Sequence, residues 1–159
     1  MPVVDLLELP AVAPPRTPVF GLDPGEKTLG VAVSDTTRLI ASPLALIRRH
    51  KFTDEAAQLF ALMDGRGAAA LVMGLPVNMD GTEGARCQSN RALARNLLRL
   101  RPGLAVAFWD ERLSTAAVNR MLIEEADLSR AKRAEVVDRA AAAYILQGAL
   151  DRLRMAALD

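Results

Sequence analysis

Between Val19 and Ser34 the chain runs apolar, turns, and runs apolar again, and this pattern limits what the rest can build. Val19-Phe20-Gly21-Leu22-Asp23 is flanked by prolines and suits a buried strand. Pro24-Gly25 is a turn signal, because proline presets φ and glycine accepts φ > 0. Leu29-Gly30-Val31-Ala32-Val33-Ser34 returns as a second strand, so the pair reads as a hairpin. Leu39 to Arg48 supplies a third antiparallel strand.

Helix and strand then alternate. Ala56, Leu59, Phe60 and Met63 recur at helical spacing after a cap at Thr53 or Asp54, which predicts a helix over 53–65. Ala70 to Met73 is a buried strand ending at Gly74. A loop follows over 75–84, then a helix to about Leu100, stopped by Pro102-Gly103. Leu104 to Trp109 is the last strand. Ser114 or Thr115 caps a helix to about Glu125, residues 126–133 read as a mobile polar loop, and a final helix spans roughly 134–155. The order predicts an α/β fold: a mixed five-stranded sheet, an antiparallel three-strand meander plus two parallel strands, with helices on both faces. Residues 1–17, with Pro2, Pro10, Pro14 and Pro15, read as a flexible arm outside one domain of residues 18–159.

At 159 residues there is room for one domain with a real core. The net charge of +1 lacks the positive excess of a strong non-specific nucleic-acid binder, so any basic surface must come from local clusters. A single cysteine, Cys87, makes no internal disulfide and suits a reducing compartment. No apolar stretch approaches the roughly 20 residues of a membrane span. Asp5 and Glu8 precede any basic residue, unlike a secretory signal. The expected setting is cytoplasmic, with no membrane partner.

The acids fall in telling places. Asp23 closes the first strand and Asp110-Glu111 closes the last. In open α/β sheets, sites form beyond the carboxyl ends of parallel strands. Asp138 precedes Ala141, Ala142 and Ile145 on the face that would pack on the sheet, where a lone carboxylate is costly. If Asp23, Glu111 and Asp138 converge, a cation must sit among them, and Mg²⁺ or Mn²⁺ suits carboxylate oxygen. Two such ions about 3.5–4 Å apart can activate a water and stabilise the leaving oxygen of a phosphodiester. Each acid also has a plain alternative: a turn for Asp23, a pair with Arg112 for Glu111, a favourable helix dipole for Asp138.

These residues carry a family resemblance. Gly21-Leu22-Asp23-Pro24-Gly25, with Lys27, Gly30-Val31-Ala32 and Ser34-Asp35, resembles the opening motif of the YqgF/RuvX family. Val72 through Gly84, Asp110 through Thr115, and Asp138 with Ala141-Ala142 and Ile145-Leu146 resemble its three later blocks. The resemblance implies a bacterial ribonuclease-H-like fold and a nuclease acting on pre-16S ribosomal RNA or on Holliday junctions. It implies an acidic triad of Asp23, Glu111 and Asp138 that is catalytic and holds Mg²⁺ or Mn²⁺. One departure stands before Asp138, where relatives carry a Lys-Gly pair and this chain reads Arg133-Ala134-Glu135; Lys132 and Arg133 supply the charge from a shifted position.

Substrate contacts are expected from Lys27, Asn78 in the 75–84 loop, Arg112, Lys132 and Arg133. For Arg112, a bidentate phosphate contact and a salt bridge to Asp110 or Glu111 weigh equally. Arg91, Arg95 and Arg99 share a helix face, and Arg48, Arg49, His50 and Lys51 form a second basic cluster; a solvated surface is the commoner explanation of both. The leading function is metal-dependent processing of the 5′ end of pre-16S rRNA, with structured RNA ahead of branched DNA as partner. The alternatives are a junction resolvase, which works as a symmetric dimer, and a non-catalytic module binding rRNA or a transcription factor. An ATP-binding lobe of the actin type needs two such lobes, and the chain has room for one. Monomer and homodimer both remain open.

Overall fold

The computed structural model describes residues 3–113 and 130–158, with side chains for 3–112 and 140–158. A 3-10 turn (Leu6–Glu8) and a short helix α1 (Leu9–Val12) precede the hairpin β1 (Val19–Pro24) and β2 (Thr28–Ser34). Then come β3 (Ala41–Arg48), α2 (Phe52–Asp64), β4 (Ala70–Leu75), α3 (Ala85–Leu100), β5 (Ala105–Asp110), a 3-10 turn (Glu111–Leu113) and α4 (Arg130–Ala157). The sheet has five strands in the order β3-β2-β1-β4-β5. β1 and β2, and β2 and β3, pair antiparallel; β4 lies parallel to both β1 and β5. This is the mixed five-stranded sheet expected from the element order.

The pleat sorts side chains between two cores. Phe20, Leu22, Val31, Leu71, Met73 and Val106 point to one face and pack with Leu59 and Met63 of α2 and Leu93 and Leu97 of α3. Val19, Ala32, Val72 and Ala107 point to the other, under Ala142, Ile145, Leu146 and Ala149 of α4. Period 2 explains the split: alternate residues of a strand face opposite sides. The face under α4 is lined by small residues because the helix lies close. A Cβ on Gly21 would sit 2.8 Å from Leu146 Cβ and 3.0 Å from the Ala142 carbonyl oxygen.

The N-terminal segment corrects the expected flexible arm. Val4, Leu6, Leu9 and Ala13 are buried in the α4-side core. Val3 bridges Val106 in parallel register, and the Val4 N–H donates to the Val106 carbonyl at 2.8 Å. Arg38 donates through Nε to the Thr17 carbonyl at 2.8 Å and through Nη2 to that of Pro14. Proline density ruled out long elements but not burial: Pro10 is accommodated in the first turn of α1, where no N–H is needed.

Two boundaries also shift. β3 begins at Ala41 because the Asp35 carboxylate takes the N–H groups of Leu39 at 2.9 Å and Ile40 at 3.0 Å in a turn. α4 begins at Arg130, so residues 130–133, expected in a mobile loop, form its first turn. The helix expected over 114–125 and residues 126–129 of that loop lie outside the described residues.

Candidate active site

Three parallel strands end at one edge, and that edge gathers the acids. Asp23 is the penultimate residue of β1, Gly74 that of β4, and Glu111 follows the last residue of β5. By pleat parity Asp23 shares the α4 side of the sheet with Val19 and Gly21. Glu111 reaches across Gly74: a Cβ on that glycine would lie 2.9 Å from Glu111 Oε1 and 2.7 Å from Ile145 Cδ1. Gly74 therefore leaves the space through which the Glu111 carboxyl approaches Asp23.

The two carboxyl groups share a hydrogen bond. Burial pushes Glu111 from an ordinary 4.5 up to about 8, reinforced by the hydrogen bond and charge of Asp23 and by Asp110, and opposed by Arg86. Two acids this close cannot both ionise without a compensating cation.

Asp138 lies on α4, one turn before Ala142. Further along the helix, Gln147 accepts from the Ala41 N–H at 2.8 Å and donates to the Leu39 carbonyl at 2.9 Å, at the start of β3. That strand start pairs with Ser34, whose hydroxyl accepts the N–H of Val19 at 2.8 Å, so it marks the opposite edge of the sheet. The helix thus runs away from the carboxyl edge. Asp138 stands about 6 Å along the axis from Ala142 toward the edge of Asp23 and Glu111. Its side chain, and those of Lys132 and Arg133, lie outside the described residues.

The 75–84 loop is internally braced. The Asn78 N–H donates to the Thr82 carbonyl at 2.9 Å and its Nδ2 to Thr82 Oγ1 at 3.0 Å. Asp80 accepts from the Thr82 hydroxyl at 2.6 Å, and Gly81 turns the tip at φ 88°. Arg112 takes the salt-bridge alternative. Its Nε and Nη2 reach Asp110 Oδ2 at 2.9 and 2.6 Å, and its Nη1 reaches the carbonyls of Asn78 and Met79 at 3.3 and 3.4 Å. It ties the loop tip to the end of β5. Lys27 is exposed at the β1–β2 turn beside Asp23.

Of the basic clusters, Arg91 is engaged with Glu83 at 2.7 Å and stacks over Phe108, 5.0 Å from the ring centroid. Arg49 is held by buried Glu55 at 3.3 Å and by the Gly25 carbonyl at 2.8 Å, which pins the β3–α2 turn against the hairpin. Three contributors escaped the sequence reading. Asn90 is buried on α3 and donates to the Gly74 carbonyl at 2.9 Å. Gly74 itself reads as a strand end. Arg86 acts on Glu111 from the first turn of α3. The available signal was an Asn and an Arg on the stripe Arg86, Asn90, Leu93, Ala94, Leu97, whose other members are apolar.

Residues 17–152 match the profile of the family described as RuvX, Holliday junction resolvase. This chain belongs to the RuvX family. A relative in Phenylobacterium zucineum is 72% identical over 97% of this chain and 99% of its own length. One in Caulobacter vibrioides (strain NA1000 / CB15N) is 67% identical over 97% and 99%. One in Rhodospirillum rubrum is 63% identical over 96% and 94%. All three carry the name "Putative pre-16S rRNA nuclease". Among solved structures, Thermus thermophilus RuvC in complex with a Holliday junction substrate superposes with a TM-score of 0.52 at 16% identity, over 86% of this chain and 96% of that one. At that identity the likeness establishes the ribonuclease-H-like fold alone.

RuvX membership makes the chain a nuclease that hydrolyses phosphodiester bonds in a nucleic acid. Divalent-metal dependence goes with the fold in general, and the donor set fits it. Asp23 and Glu111 offer hard carboxylate oxygens whose mutual repulsion a small divalent cation relieves. Among the described residues no three such ligands are assembled; the third expected ligand, Asp138, has no described side chain. No helix among the described residues is long and apolar enough to cross a membrane.

Proposed function

We propose that this RuvX-family chain cleaves phosphodiester bonds at the 5′ end of precursor 16S rRNA in the cytoplasm, using Mg²⁺ or Mn²⁺ held by Asp23, Glu111 and Asp138. The observation that carries this reading is the Asp23–Glu111 carboxyl pair at the carboxyl edge of the sheet. The RNA substrate follows the name its relatives carry. A bound divalent ion would supply a nucleophilic water and charge stabilisation at the phosphate. The protein's own share is to hold two carboxyl groups against each other in a partly dry site, preformed by Gly74 and braced by Asn90. Lys27 flanks the pair from the hairpin as a phosphate contact, with Lys132 and Arg133 as further cations. Asn78 and Arg112 shape the loop bordering the site.

A second reading, cleavage of four-way DNA junctions, is favoured by the family's own description. The test presents purified protein, with Mg²⁺ or Mn²⁺, with single-stranded RNA, a pre-16S rRNA end and a four-way DNA junction, and runs Asp23→Asn in parallel. Cutting of the rRNA end by wild type alone supports the proposal. Matched nicks in the junction with no RNA cleavage transfer the site to DNA. Binding without cutting under either metal leaves a non-catalytic RNA-binding module.

A further inference from the structure

We infer that Arg86 is the arginine that grips the substrate phosphate at this site, in place of the more conspicuous Arg112. This rests on the nuclease reading above and names a residue for it.

Arg112 is already committed. Its guanidinium is spent on the Asp110 carboxylate and on two loop carbonyls. Taking a phosphate would mean giving up a bidentate ion pair and releasing the loop. Arg91 is likewise committed, to Glu83 through two contacts of 2.7 Å.

Arg86 differs in position and partners. It sits on the inward stripe of α3, one turn before Asn90. Asn90 is 4% exposed and fixed to the Gly74 carbonyl at 2.9 Å. Gly74 lies directly beneath the Glu111 carboxylate. One turn carries Arg86 about 6 Å beyond that anchor, past the end of β4, where the helix overhangs the edge. The same stripe that buries Leu93, Ala94 and Leu97 therefore delivers position 86 to solvent at the site. Among the described residues no ion pair engages Arg86, yet its charge acts on Glu111. An exposed cation at the carboxyl edge, on the α3 side of the sheet and with its charge reaching the half-buried Glu111, is placed for a phosphodiester that crosses this edge to the acid pair on the α4 side. Its planar fork matches two phosphate oxygens, which a lysine ammonium does not.

The experiment compares wild type with Arg86→Ala, Arg86→Lys and, as a control on the same helix, Arg99→Ala. It measures metal-dependent cleavage of RNA and of a four-way junction, the salt dependence of binding to the same labelled substrates, and thermal melting. The expected result is a loss of about 100-fold in kcat/KM for Arg86→Ala, partial rescue by lysine, and a salt slope shallower by about 1. Melting is unchanged, and Arg99→Ala behaves as wild type. Wild-type cleavage and salt slope in Arg86→Ala would overturn the assignment and leave the nuclease reading standing. An activity loss that tracks a lowered melting temperature would also overturn it. A wild-type chain that neither binds nor cuts any of the substrates would overturn the nuclease reading and this inference together.

Discussion

The Glu111 carboxyl is hydrogen-bonded to Asp23 across the gap left by Gly74, so residues 88 positions apart in sequence meet as one acid pair. Neither acid is placed by its own strand alone. Parallel pairing of β1, β4 and β5 brings the strand ends to one edge, and a glycine between them opens the space.

That pair predicts a pH dependence. Glu111 is raised by burial and by Asp23 to about 8 in the folded chain, against 4.5 ordinarily. The unfolded chain therefore releases this proton first as pH rises. Its contribution to stability is full below about 4.5 and is lost progressively toward 8. Thermal melts of metal-free protein should fall across that window more steeply for wild type than for Glu111→Gln. Metal binding must displace the Glu111 proton, so Mn²⁺ affinity measured by calorimetry should rise with pH over the same range. A wild-type melting curve parallel to that of Glu111→Gln would refute the raised titration of Glu111.

Gly74→Ala tests the gap. The new Cβ would meet Ile145 Cδ1 at 2.7 Å and Glu111 Oε1 at 2.9 Å. Overpacking of this kind costs about 1–3 kcal/mol, and the displaced carboxyl should reduce cleavage at least tenfold, roughly the effect of a 1.4 kcal/mol change in the barrier. A variant with wild-type melting and turnover would show that Glu111 does not need this space.

Asn90→Ala should destabilise the fold by about 1–3 kcal/mol, because the buried Gly74 carbonyl loses its donor. Urea unfolding reads the loss directly. Asn90→Asp should do worse, since it sets a carboxylate oxygen against a carbonyl oxygen.

Removing residues 1–13 should cost several kcal/mol. It takes away Leu6 and Leu9, which are 8% and 1% exposed, and each such side chain contributes about 1.5–3 kcal/mol. It also uncovers the outer edge of β5 where Val4 pairs with Val106, and an open strand edge invites self-association. Melting temperature and light scattering of the truncated chain report the two effects separately. Unchanged values in both would return the segment to the status of a dispensable arm.

Arg112→Ala should loosen the 75–84 loop rather than unfold the protein, because the bonds it breaks are at the surface. Hydrogen exchange should speed up at the Thr82 and Gly81 amides, with melting temperature held nearly constant.

Much of this is legible in the sequence. Period-2 and period-3.6 patterns specify the strands and helices; the first hairpin turns over residues 25–27, because Pro24 ends β1 paired with Leu29 and Gly25 needs no positive φ. The positions of Asp23 and Glu111 at strand ends point to a shared edge only if their strands run parallel: alternation is a local rule, whereas the pairing of β1, β4 and β5 is long-range. The N-terminal segment departs from the expected arm for a physical reason. Proline content reports what a backbone cannot form, whereas the burial of Val4, Leu6 and Leu9 depends on an apolar surface offered by α4 and β5, remote in sequence. For the same reason Arg112 could not be assigned from its neighbours, and Asn90 and Arg86 gave no signal beyond two polar residues on an inward stripe.

The sequence by itself determined the five strands and the helices α2 to α4 in their order, and it set Asp23 and Glu111 at strand ends, since these rest on backbone propensity and side-chain period. Tertiary structure decided which acids meet, which arginine is spent on a neighbour and which stays open to solvent, and how tightly α4 sits on Gly21 and Gly74. Those outcomes depend on distances of a few ångströms between residues far apart in the chain, and only the packed molecule sets such distances.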